Sequence, residues 1–134
     1  MYLFDTNILS EVMKKKPNIP LMEHLSSISA EVQFTSCICV MELRYGSQRR
    51  PDNKILWKRI ETEVLDKVVI LPITEEIAII AGDLAAILAS RGQVISPEDL
   101  LIAATAVKND LTLITSNERH FVRIPDLKVE NWLS

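Results

Sequence analysis

The chain has 134 residues, 48% of them hydrophobic and 25% charged, with a formal net charge of −3. That length suits one ordinary domain and leaves no room for a second core, so residues 1–134 are expected to form a single domain. The composition excludes a disordered or low-complexity chain, and the slight acidity excludes a general nucleic-acid coat, so any nucleic-acid contact must be local.

In chain order, Tyr2, Leu3 and Phe4 form a short apolar strand that stops at Asp5-Thr6-Asn7, after which Ile8, Leu9 and Val12 recur at helical spacing. Lys14 to Pro20 breaks that helix, a second short helix is expected up to Ser27, and Val32 to Thr35 reads as another strand. A helix is expected from Ile38 to about Arg50, where Pro51 interrupts it, and Ile55, Leu56, Ile60, Val64 and Leu65 mark an amphipathic helix beyond. Val68 to Leu71 predicts a buried strand ended by Pro72. Thr74 with Glu75 and Glu76 opens a long helix through Ile77, Ala81, Leu84 and Leu88, with Gly92 as its stop. Ser96-Pro97 begins a further helix, with Ser at the N-cap and Pro at the first position, and Leu100 to Val107 is apolar enough to be buried nearly all round. Asn109-Asp110 closes it, Leu111 to Thr115 forms a strand leading to Ser116-Asn117-Glu118, and Leu127 to Val129 adds a last one.

Strands alternate with helices throughout, and the strands are continuous apolar runs without in-out alternation. That pattern predicts an α/β fold with a parallel central sheet covered by helices on both faces. Right-handed crossovers then place the loops after the strands along one sheet edge, where ligands of open α/β folds bind. Cys37 and Cys39, two apart in an apolar run, suit neither a disulfide nor a zinc site and are expected to be reduced, buried small hydrophobes. Met1 to Asp5 runs straight into a strand, without a basic or long apolar leader, and no apolar run approaches the roughly 20 residues that span a bilayer. A cytoplasmic protein with no membrane contact is expected.

Three acidic residues occupy positions where an ionised carboxylate needs a partner. Asp5 follows an apolar strand, Glu42 lies within Ile38-Cys39-Val40-Met41-Glu42-Leu43, and Asp99 opens the apolar helix from Leu100. Each also has a structural explanation. Asp5 can make an Asx turn or cap the following helix, Glu42 can face solvent through a gap in its helix, and Ser96-Pro97-Glu98-Asp99 is close to a capping box. Together, however, an acid after the first strand and another at a later helix start can meet at one edge of a parallel sheet. Oxygen ligands without a credible His or Cys set suit a hard cation, Mg²⁺ or Mn²⁺, able to activate water and stabilise charge on a phosphoryl group. His24 and His120 lack metal-ligand spacing to a partner and are expected in surface or packing roles, with His120 near enough to the last motif to touch RNA.

Four segments resemble the PIN domains of VapC toxins: Asp5-Thr6-Asn7, Met41-Glu42-Leu43-Arg44-Tyr45-Gly46, Asp99-Leu100-Leu101-Ile102-Ala103-Ala104 and Thr115-Ser116-Asn117-Glu118-Arg119-His120-Phe121. The resemblance runs from Leu3 to Trp132 and implies a PIN-like three-layer sandwich with sheet order 3-2-1-4-5. It implies Asp5 and Asp99 as principal metal ligands, with Glu42 completing the set directly or through water. Thr6, Asn7, Thr115 and Ser116 would orient Asp5 or the attacking water. It further implies an Mg²⁺-dependent endoribonuclease, served also by Mn²⁺, that leaves 5′-phosphate and 3′-hydroxyl ends without using the 2′-hydroxyl as nucleophile. The implied partners are RNA, a VapB-like antitoxin of a type II toxin-antitoxin pair, and a second copy of the chain in a homodimer or higher assembly. Asn117 stands where the family's fourth position is often Asp, which puts a second metal ion in question but leaves Asn117 a candidate catalytic residue. Arg44, Arg49, Arg50 and Arg119, with Lys54, Lys58 and Lys14 to Lys16, are candidates for an RNA phosphate track; the alternative for each is a solvated helix face.

A phosphatase with a nucleophilic first Asp would carry Asp-x-Asp where this chain has Asp5-Thr6-Asn7, and a receiver domain would need an Asp where Leu71-Pro72-Ile73 stands. The stronger rival is a non-catalytic PIN-like module that binds RNA or protein, for which three sequestered negative charges facing phosphate have no use.

Overall fold

A computed structural model describes residues 1–134. Five short strands, β1 (Tyr2–Phe4), β2 (Gln33–Ser36), β3 (Val69–Leu71), β4 (Thr112–Ile114) and β5 (Lys128–Glu130), form one sheet in the order β3-β2-β1-β4-β5. Every pairing is parallel, with Phe4 opposite Ile114, Leu3 opposite Phe34, Ser36 opposite Leu71 and Ile114 opposite Glu130. The helices are α1 (Thr6–Val12), α2 (Ile19–Ser26), α3 (Cys37–Gln48), α4 (Asn53–Glu63), α5 (Glu75–Ser90), α6 (Pro97–Lys108) and α7 (Glu118–Phe121). None is long and apolar enough to cross a membrane.

The chain winds outward from β1 to β3, then returns to the other side of β1 for β4 and β5. The strand order reverses between β1 and β4, so the right-handed rule for parallel crossovers assigns the helices of the two halves to opposite faces. At such a reversal the loops leaving neighbouring strands diverge and open a crevice at their carboxyl ends, bounded here by Asp5 and Thr115.

The core is built on the central strands: Leu3, Phe4, Leu113 and Ile114 are at most 1% exposed. In α6, Leu100, Ile102, Ala103, Ala104, Thr105 and Ala106 are all buried, as the unbroken apolar run predicts, because α6 packs against both α5 and α3. Gly92 ends α5 at φ +69, and Gln93 donates its backbone N–H to the Leu88 carbonyl, so the expected glycine stop is a left-handed C-terminal turn. The fourth helix closes at Glu63, with Val64 and Leu65 buried in the short 3-10 turn region that follows.

One expectation fails. The run Val68 to Leu71 is not a buried strand, since Val69 and Ile70 are 46% and 41% exposed. An apolar run specifies a strand but not its place in the sheet, and β3 is an edge strand with a neighbour on one side only. Cys39 is fully buried and Cys37 partly so, and both are free thiols.

Candidate active site

Asp5 is the residue at which β1 becomes α1. Its backbone N–H donates to the Ile114 carbonyl at 3.0 Å, extending the β1–β4 ladder, and its side chain then turns back as the N-cap of α1. Oδ1 accepts from the Thr6 backbone N–H at 2.8 Å, while Oδ2 accepts from the Thr115 hydroxyl at 2.8 Å and from the Asn7 amide at 3.3 Å. The capping explanation therefore holds, yet it accounts for only one bond to a carboxylate that is 6% exposed. The loops after β1 and β4 are tied together, because Ser116 donates its backbone N–H to Asn7 Oδ1 at 3.1 Å and Asn117 donates to Thr115 Oγ1 at 3.0 Å.

Glu42 does not face solvent through a gap. It turns from α3 toward α1 and accepts the Thr6 hydroxyl on Oε1 at 2.6 Å. Cys39, one turn earlier on the same helix face, lies beside it, and the ligand atoms of Asp5, Cys39 and Glu42 fall within 4.8 Å of one another. The Cys39 thiol donates weakly to the Phe4 carbonyl at 3.8 Å, and burial pushes its pKa up to about 11. The carboxylate oxygens of Asp5 and Glu42 are thus the readily ionised donors of the cluster.

Asp99 lies outside that tight group. Its backbone N–H donates to Ser96 Oγ at 3.2 Å, which is half of a capping box. The reciprocal half is absent, because the carboxylate turns away and pairs Oδ2 with His120 Nε2 at 2.9 Å. Its charge still reaches the other two acids. Burial, above all, raises the pKa of Asp5 against the lowering effect of the Thr115 and Thr6 bonds, and repulsion from Asp99 adds to the rise. Glu42 is raised first by burial, with Asp5, Asp99 and Glu98 contributing and the Thr6 hydroxyl opposing.

The crevice thus concentrates carboxylates against their electrostatic preference, the condition that a bound cation relieves. Asp5, Asp99 and Glu42 are oxygen donors of the kind that a hard divalent cation takes, whereas a softer metal would look for thiolate or imidazole. The acidic set therefore fits a divalent metal.

Asn117 is exposed at the head of α7, where its side chain makes no capping bond. Among the candidate RNA contacts, the Arg44 guanidinium lies 4.9 Å over the Trp57 ring and that of Arg49 lies 5.4 Å over Tyr45. Arg50 pairs with Asp52 at 3.1 Å, and Arg119 is exposed on α7. An open groove of about 400 Å³ runs from Thr6 and Glu42 between α1, α3 and α4, and Arg50, Lys14 and Arg59 line it. The four arginines are thus not one track: Arg50 lines this groove, Arg44 and Arg49 are engaged with aromatic rings, and Arg119 belongs to another element. His24 takes the expected packing role, stacked 4.5 Å from the Trp132 ring. His120 does not: it is part of the acidic site, together with Arg123, which the sequence did not single out. The only signal for His120 was its place within the fourth motif.

A family model described as PIN domain matches residues 2–127. Among characterised relatives, ribonuclease VapC2 of Haemophilus influenzae is 33% identical over 136 residues, covering 98% of each chain. The tRNA(fMet)-specific endonuclease VapC of Salmonella typhimurium is 29% identical, covering 98% of this chain and 97% of its own. Among solved structures, the VapBC2 complex of Rickettsia felis bound to a promoter DNA fragment superposes with a TM-score of 0.89 at 29% identity, covering 98% of both chains. The sheet order, the acidic crevice at its reversal point and these relationships agree, and the chain belongs to the PIN-domain family, among the VapC ribonucleases.

Proposed function

We propose that this chain, acting as a single PIN domain over residues 1–134, is an Mg²⁺-dependent endoribonuclease, with Mn²⁺ able to substitute, and the toxin of a type II toxin-antitoxin pair in the cytoplasm. The observation that carries the reading is the close approach of Asp5 and Glu42 at the carboxyl edge of the sheet, with Asp99 of a third element near enough for its charge to act on both. The relatives' names as ribonucleases and their structures as toxin-antitoxin complexes supply the substrate class and the partner.

In this mechanism Asp5 and Asp99 would hold the cation, and Glu42 would complete the set directly or through water. When bound, the cation supplies Lewis-acid activation of water and neutralises charge growing on the phosphoryl group. Thr115 and Asn7 fix Asp5 Oδ2, the Thr6 amide fixes Oδ1, and the Thr6 hydroxyl fixes Glu42 Oε1, so the acids are oriented before RNA arrives. Glu42, with its pKa raised by burial and with Oε2 free of intramolecular partners, is suited to take the proton of the attacking water. Attack on phosphorus would break the bond to the 3′ oxygen of the preceding nucleotide, which takes a proton from solvent, leaving a 5′-phosphate and a 3′-hydroxyl. Ser116 supports Asn7 through its backbone N–H, Arg50 offers the groove a cation for a phosphate, and Arg44, Arg49 and Arg119 have weaker claims. Asn117 is the least supported catalytic candidate, being exposed at the rim.

The test is cleavage of total RNA by the purified protein, with 5′ ends mapped by sequencing. Mg²⁺ and Mn²⁺ should support turnover, Ca²⁺ binding without comparable turnover because its coordination is looser, and chelator none. Asp5→Asn and Asp99→Asn should each abolish cleavage and relieve growth arrest. Undiminished activity in excess EDTA, or in both variants, would overturn the metal mechanism, and absence of cleavage with every metal would favour a non-catalytic binding module. A homodimer held by a VapB-like antitoxin, whose Arg or Lys would complement the three carboxylates, is tested by light scattering of the chain alone and with the neighbouring gene product.

A further inference from the structure

Each acid of the crevice has one oxygen held by a donor from another element: Asp5 by Thr115 of the β4 loop, Glu42 by Thr6 of α1, and Asp99 by His120 of α7. The third differs from the first two, because an imidazole can present either nitrogen with or without its hydrogen. Arg123 removes that freedom. Its Nη2 lies 3.1 Å from His120 Nδ1, its Nε donates to the His120 carbonyl at 2.9 Å, and Nη2 also donates to the Val94 carbonyl at 3.0 Å. A guanidinium only donates, so Nδ1 must be the accepting nitrogen and the ring hydrogen must be on Nε2, aimed at Asp99 Oδ2 2.9 Å away. The ring is further restrained edge-on to the buried Phe121, with centroids 5.3 Å apart.

We propose that His120 and Arg123 are positioning residues for the metal-holding carboxylate: Arg123 fixes the tautomer of His120, and His120 in turn fixes the orientation of Asp99, leaving Oδ1 free to face the crevice. The bond to Val94 extends the device, because Val94 lies two residues before the Ser96 cap of α6. Arg123 thus ties α7 to the loop that launches the helix carrying Asp99. Neither residue touches RNA or the reacting atoms in this assignment. It also gives the fourth motif a function that does not need Asn117 as a ligand, since Thr115 and His120 of that segment serve Asp5 and Asp99.

The inference rests on the reading of the crevice as a metal site, and its test has one arm independent of that reading. Nitrogen-15 correlation spectra of the imidazole in the metal-free protein report which ring nitrogen bears hydrogen. The wild type should show His120 as the single Nε2–H form, and Arg123→Ala should convert it to a mixture of tautomers; an Nδ1–H form in the wild type, or an unchanged spectrum in the variant, would overturn the proposal. In the second arm, calorimetry with Mn²⁺ alone should give an affinity lower by roughly 10- to 100-fold for His120→Ala, and His120→Gln, whose amide can reach Asp99 as the Nε2–H does, should recover most of it. Cleavage assays should show the loss in kcat with little change in KM for RNA. If Asp5→Asn abolishes Mn²⁺ binding while His120→Ala binds like the wild type, the positioning role fails and the metal site stands. If neither the wild type nor any variant binds Mn²⁺, the metal reading fails, and the tautomer spectra alone decide the role of Arg123.

Discussion

Thr115→Val replaces a hydroxyl by a methyl of nearly the same shape and is the sharpest probe of how the crevice holds its acids. The hydroxyl donates to Asp5 Oδ2 at 2.8 Å and accepts from the Asn117 backbone N–H at 3.0 Å, at a residue with no solvent exposure. A hydrogen bond to a charged group contributes about 1.5–3 kcal/mol net, and the loss of a group orienting a metal ligand typically lowers affinity by about 10- to 100-fold, or roughly 1.4–2.7 kcal/mol. Asp5 keeps its bonds from Thr6 and Asn7, so the lower half of that range is expected for Mn²⁺ binding. Calorimetric titration of wild type, Thr115→Val and Thr115→Ser measures it. Serine keeps the hydroxyl and loses only a methyl, so its affinity should stay within about threefold of the wild type, while its thermal stability drops by the cost of a small cavity. At roughly 3–6 °C per kcal/mol for a chain of this size, melting curves would separate that packing loss from the binding loss. A Thr115→Val isotherm matching the wild type, in a protein whose Asp5→Asn variant binds no metal, would refute the assignment of the hydroxyl to orienting Asp5.

Because Asp5 and Glu42 have native pKa values raised above their unfolded ones, their stabilising effect is complete below the unfolded carboxylate range and lost as pH rises through the native values. Metal-free protein should therefore lose stability from about pH 4 upward through that window, as read by urea unfolding in EDTA, and Asp5→Asn with Glu42→Gln should flatten the slope; an unchanged slope would count against the crowding of charge. Saturating Mn²⁺ should oppose the decline, since the cation binds the ionised form. Asn117→Ala should reduce turnover less than Asp5→Asn, and Asn117→Asp should strengthen a second metal-binding event only if the side chain reaches the crevice; three identical isotherms would remove it from the site. Leu113→Ala, at a fully buried position of the strand beside β1, should destabilise the fold by about 2–5 kcal/mol in urea titration.

The sequence by itself determined the elements and their class. Apolar runs alternating with helical periodicity, Ser96-Pro97 at a helix start and Gly92 at a helix end are local signals, and the structure places strands, caps and stops at these positions because local propensity and tertiary packing agree there. The family's four motifs made the sheet order and the three acids legible as well. What only the tertiary structure decided is pairing across the chain. Whether Val69 and Ile70 are buried depends on their strand's place at the sheet edge, which an apolar run does not encode. Whether Arg50 or Arg44 can meet phosphate depends on Asp52 and Trp57 beside them. His120 has no metal-ligand spacing in the sequence because its partner, Asp99, is 21 residues away on another helix. Distance along the chain carries no record of which nitrogen meets which oxygen; that is fixed when the loops after β1 and β4 and the start of α6 close on one crevice.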